Sequence, residues 1–191
     1  MKSSRLISFL CISLTSVIGS TSCDKNEPED PIIPNEEEVV TSFNFTLTPG
    51  GGGSPVVLSF MDLDGDGGNP PTITGGSLIV NTNYSGAITL LNELETPTAD
   101  ISLEIEEEGA EHQFFFETTV EGLKVEYGDA DVNGQPIGLS TTISTEEAGS
   151  GVLKITLRHQ PDKNASGVSE GDISNAGGET DLEVTFNVEV Q

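Results

Sequence analysis

Leu182, Val184, Phe186, Val188 and Val190 alternate with Glu183, Thr185, Asn187 and Glu189 at the end of the chain. A period of two sends one set into a core and the other into water, as in a strand at the surface of a sheet. The same rhythm recurs with Phe43, Phe45 and Leu47, with Ile101, Leu103 and Ile105, with Leu123, Val125 and Tyr127, and with Leu153, Ile155 and Leu157. Shorter runs predict further strands near residues 56–61, 78–80, 87–91, 112–117 and 139–144. The glycines between Pro49 and Pro55 read as a hairpin loop, since no Lys and no helical pattern follow to make a phosphate cradle. About ten short strands with frequent turn signals predict an all-β fold, a two-sheet antiparallel sandwich of immunoglobulin-like type with little helix. The segment 160–180, rich in Gly, Ser, Asn and Asp, is a candidate binding loop because loops of that length are often functional.

The amino-terminal end follows a different pattern. Lys2 and Arg5 precede a largely apolar run over residues 6–18, and Gly19, Ser20, Thr21 and Ser22 lead to Cys23. A membrane-spanning helix needs roughly 20 apolar residues, so this shorter run predicts a cleaved signal, of bacterial lipoprotein type with lipidation at Cys23. Acylation of that cysteine by a diacylglycerol and an N-acyl chain supplies the two or more chains that stable anchoring requires. Cleavage also removes Cys11, so disulfides have no part in the mature protein. The expected organisation is a lipoprotein signal peptide over 1–22, an acidic flexible tether over 23–38 and the β-sandwich domain over 39–191. The tether is acidic, proline-bearing and nearly free of large apolar groups, a composition that solvates instead of packing.

Charge narrows the partners. The chain holds 32 acidic and 7 basic residues, a formal net charge of −25, and two of the basic residues, Lys2 and Arg5, lie in the signal. Such a surface repels phosphate backbones and anionic lipid headgroups, which argues against nucleic acid, while cations are its natural counterpart. The membrane is reached through the lipid alone. A protein or small-molecule partner is left unspecified.

Two loops share one acidic pattern. Asp62, Asp64 and Asp66 and then Asp129, Asp131 and Asn133 stand at alternate positions after an aromatic residue and before a glycine, each set following a predicted strand. Oxygen donors at positions one, three and five of a glycine-turned loop suit calcium. Position twelve, where a bidentate Glu closes an EF-hand, is Ile73 in one loop and Ser140 in the other. Two readings remain open: calcium-ordered loops, or plain turns in which Asx side chains bond their own backbone.

His112 shares parity with Phe114 and Phe116, and His159 with Leu153, Ile155 and Leu157, so both imidazoles face the apolar side near strand ends. With Glu107, Glu108 or Glu111 nearby they could hold a transition metal, for which imidazole and carboxylate are suitable donors. A histidine that caps a strand end and bonds the backbone is the structural alternative. No G-x-S-x-G elbow, H-E-x-x-H helix or Cys–His pair is present, and without Trp the chain has little aromatic platform for sugars. A non-enzymatic module is therefore expected.

Several blocks carry a resemblance: Asp64-Gly65-Asp66-Gly67-Gly68, Glu111-His112-Gln113-Phe114, Asp131 through Leu139, Leu157-Arg158-His159-Gln160-Pro161 and Gly177-Gly178-Glu179-Thr180-Asp181. Together they resemble a group of small Bacteroidota lipoproteins without an assigned activity, over nearly all of the mature chain. Relatives of this kind sometimes carry the label of a type 1 periplasmic binding fold, which needs alternating strands and helices in two lobes; the periodicity here points to the sandwich instead. The acidic run after Cys23 also resembles the export signal of surface-exposed lipoproteins in Bacteroidota, which implies display on the cell surface, with the inner leaflet of the outer membrane as the alternative. The leading expectation is an outer-membrane-anchored binding or envelope module, ordered by calcium at the two acidic loops. The alternative is a lipoprotein that captures a solute or metal for a transporter, with His112 and His159 as its ligands.

Overall fold

The computed structural model describes residues 39–65 and 68–191. Cys23, the signal, the tether and Asp66 lie outside the described residues. Two sheets face each other. The larger contains β1 (Ser42–Pro49), β2 (Val56–Met61), β3 (Thr72–Thr74), β5 (Thr82–Asn92), β6 (Ala99–Asp100), β8 (Leu123–Tyr127) and β9 (Ser140–Thr145), in the order β3-β2-β1-β5-β9-β8 with β6 beside β5. The smaller contains β4 (Gly76–Leu78), β7 (His112–Thr118), β10 (Gly149–His159) and β11 (Glu179–Val190), in the order β4-β11-β10-β7. The fold is an all-β sandwich, as the alternating pattern predicts. Every pairing is antiparallel except that of β4 with β11, which is parallel.

The inward residues of both sheets meet in one core. Phe43 of β1 stacks on Phe186 of β11 with ring centroids 5.8 Å apart and lies 6.5 Å from Phe114 of β7. Leu153, Ile155 and Leu157 of β10 and Val184 and Val188 of β11 fill the same layer and are buried. Each such side chain contributes about 1.5–3 kcal/mol on removal from water. Outward positions of β11 are polar, so its alternation in sequence is the alternation of its two faces.

One expected strand is a helix. Ile101, Leu103 and Ile105 belong to α1 (Ile101–Glu107), not to an extended run. Asp100 caps it, accepting from Ser102 N at 3.0 Å, and Ile101 and Ile105, one helical turn apart, are buried while Leu103 is exposed. An i, i+4 pair serves a helix as well as an i, i+2, i+4 row serves a strand, and the cap decides between them. The turn after α1 leads directly into His112.

The segment between β10 and β11 is ordered by its own small core. Val168 and Ala176 pack with Phe115 of β7, and a short 3-10 turn at Ile173–Asn175 is capped by Asp172. Phe114 faces the sandwich and Phe115 faces this loop, so both sides of β7 are covered.

Candidate metal centre

His112 opens β7 and His159 closes β10, and the antiparallel register places them directly opposite each other. Both side chains point inward, as their parity predicts, and both are buried. His112 Nε2 and His159 Nδ1 lie 2.9 Å apart, with the rings at 85° to one another.

Asp181 joins them by an irregularity. Leu157 pairs with Leu182 but Arg158 pairs with Thr180, so Asp181 is an extra residue on β11, a β-bulge. Strict alternation would put Asp181 outward with Glu183; the bulge turns its carboxylate inward, and that side chain has no solvent-exposed surface. Bulges commonly re-aim a side chain in this way. Gly177 and Gly178, with φ of 61° and 69°, turn the chain into β11, and Gly178 lies close against β10. A Cβ on Gly178 would lie 2.2 Å from the His159 carbonyl oxygen.

Asp181 Oδ2 is 3.7 Å from His112 Nε2 and 3.9 Å from His159 Nδ1. The point equidistant from these three atoms lies about 2.1 Å from each, which is the length of a zinc–nitrogen or zinc–carboxylate bond. Among the described residues, these three form the one group of His, Cys, Asp or Glu ligands within 4.8 Å of one another. Two imidazole nitrogens and one carboxylate oxygen suit zinc, copper or another first-row dication, whereas calcium and magnesium prefer shells built of oxygen.

The outer nitrogen of His112 has an acceptor, and that of His159 has a carboxylate nearby. His112 Nδ1 faces Glu108 O at 3.3 Å, and because a carbonyl only accepts, the proton belongs on Nδ1 and Nε2 accepts from His159 Nδ1, a proton that a bound metal would replace. His159 Nε2 faces the Glu111 carboxylate at 3.9 Å. A carbonyl or carboxylate behind the ring is the usual support of a metal-bound histidine. Burial pushes the His112 imidazole below its ordinary value, and the neighbouring His159 adds to the effect. The neutral ring, which is the metal-binding form, is thereby favoured.

The two acidic loops are arranged differently. Asp62 Oδ1 accepts from Gly65 N at 2.9 Å, and Asp64 Oδ2 accepts from Asn69 N and Nδ2 at 2.9 and 2.7 Å. Asp129 accepts from Gly138 N and Ser140 N, each at 2.7 Å. Asp131 Oδ1 accepts from Asn133 N and Gln135 N at 2.8 and 2.9 Å. These carboxylates hold their own loops through backbone amides, as Asx turns do. Asp131 Oδ2 accepts from the ammonium of Lys163 at 3.1 Å, and that ammonium also donates to Gly109 O and Pro136 O. The cation facing Asp131 is therefore carried by the chain itself.

Sequence pattern brought His112 and His159 forward and named Glu111 as their neighbour. It missed Asp181, whose parity the bulge reverses, and Lys163, which lies in a loop without periodicity. Comparison with protein-family models, with curated proteins and with solved structures returns no match for this chain. What defines the protein is a β-sandwich with a two-histidine, one-carboxylate cluster at one end.

Proposed function

We propose that this chain is a non-enzymatic lipoprotein, anchored at the outer membrane through Cys23, whose β-sandwich captures a divalent transition-metal ion at His112, His159 and Asp181. The observation that carries this reading is the convergence of His112 Nε2, His159 Nδ1 and Asp181 Oδ2 around a point at metal-bonding distance from all three. The site is closed: the His112 and Asp181 side chains have no exposed surface and His159 is 8 % exposed. Burial of the three ligands suits retention of the ion. A strongly acidic chain draws cations toward it, and the lipid tether suits a role in supplying a transporter in the same membrane.

Titration with Zn²⁺ against a competing chelator tests the reading. One ion per chain is expected for the wild type, with binding weakened at least a hundredfold in His112→Ala and in His159→Ala. Equal affinity in all three proteins would overturn it. The tether is tested separately by Cys23→Ser, which is expected to move the protein from the membrane to the soluble fraction.

A further inference from the structure

Asp181 and His112 present no surface to solvent, so an ion can reach the cluster only on the side of His159. Glu111 stands on that side. Its side chain is 54 % exposed, and its Oε2 lies 3.9 Å from His159 Nε2, the ring nitrogen that points away from Asp181. Gln160 holds it there, with Nε2 donating to Glu111 Oε2 at 3.1 Å and the backbone N donating to Glu111 O at 2.6 Å. To do so Gln160 adopts φ of 48°, a left-handed conformation that non-glycine residues rarely take.

We infer that Glu111 is the port of the metal centre: a solvent-facing carboxylate that takes the ion first and passes it inward along the His159 ring to Nδ1, with Gln160 as its holder. This rests on the reading of His112, His159 and Asp181 as a metal site and assigns how that site is filled. The chemistry follows from the two environments of the group. On the outside the exposed oxygen attracts a hydrated dication. On the inside the same carboxylate stands 3.9 Å from His159 Nε2, at the edge of the ring whose Nδ1 meets His112. Glu111 is a positioning residue, outside the final shell, and its contribution lies in the rate of filling.

The test is stopped-flow uptake of Zn²⁺ by the full mature protein in detergent, comparing the wild type with Glu111→Gln. A second variant, Glu189→Gln, removes one negative charge at the far end of β11. Association is expected to slow about fivefold in Glu111→Gln and to stay at the wild-type rate in Glu189→Gln, as for a rim charge that acts locally. The equilibrium stoichiometry of one ion is expected to hold in all three. Uptake by Glu111→Gln at the wild-type rate, or equal slowing in both variants, would overturn the port. Absence of Zn²⁺ binding in the wild type would instead remove the site itself, a failure that stoichiometry alone distinguishes.

Discussion

His112 and Asp181 come within 3.7 Å of each other although they lie on strands that are not neighbours, β7 and β11, with β10 between them. The β10 partner of His112 is His159, so three adjacent strands each contribute one ligand. A sheet holds such a constellation more rigidly than a loop: His112 and His159 are register partners in the ladder, and Asp181 is set by the bulge between two paired residues.

Metal binding is expected to stabilise the fold by mass action. With free Zn²⁺ at a hundred times Kd the gain is about 2.7 kcal/mol, which for a domain of this size raises the melting temperature by about 5–10 °C. Differential scanning calorimetry with Zn²⁺ and with chelator measures the shift. Calcium at the same concentration is expected to leave the histidine centre unaffected, since imidazole is a poor ligand for it.

The bulge predicts a separable effect of Asp181 and Gly178. Asp181→Asn keeps the shape of the side chain and is expected to weaken Zn²⁺ binding at least tenfold while the protein stays folded. Gly178→Ala places a methyl against the His159 carbonyl at a positive φ, and a loss of about 1–3 kcal/mol is expected in urea unfolding. A Gly178→Ala variant as stable as the wild type would contradict the close approach of the two strands.

Lys163 is expected to be a keystone of the loops beside the site. Its ammonium is buried and bonded to Gly109 O, Pro136 O and Asp131, joining the turn after α1 to the β8–β9 loop. Lys163→Met breaks a buried ion pair, for which a loss of about 3 kcal/mol is expected by chemical denaturation. A loss below about 1 kcal/mol would show that the pair is replaced at little cost.

The same pair sets an acid limit. Burial of Asp131 works to raise its carboxyl, but hydrogen bonds from Gln135, Lys163 and Asn133 outweigh it and hold the group below its usual 3.8. Above that value the folded and unfolded chains are both ionised and the full stabilisation is present. As pH falls below it, the unfolded chain takes up the proton first and stability is lost until the folded carboxyl also titrates. Urea midpoints between pH 3 and pH 6 are expected to show this decline in the wild type and a shallower one in Asp131→Asn.

How much of this was legible in the chain depended on periodicity. Strands β1, β10 and β11 follow their alternation, and the inward parity of His112 and His159 could be read directly. Ile101, Leu103 and Ile105 were ambiguous because apolar residues two and four apart fit both a strand and a helix, and only the Asp100 cap separates the two. Asp181 was hidden for the opposite reason. Its alternation with Leu182 is unambiguous and points outward, and a bulge that depends on pairing with β10 reverses it. The acidic loops fit both a turn and an ion site because Asp serves either, and partners such as Gly138 N and Lys163 Nζ become known only once the chain is folded.

The most direct measurement is X-ray absorption at the zinc edge of the metal-loaded protein. The expected spectrum shows two imidazole nitrogens and a carboxylate oxygen at about 2.0–2.1 Å, with the imidazole scattering lost in His112→Ala together with His159→Ala. An all-oxygen shell without imidazole scattering, unchanged in that double variant, would contradict the site.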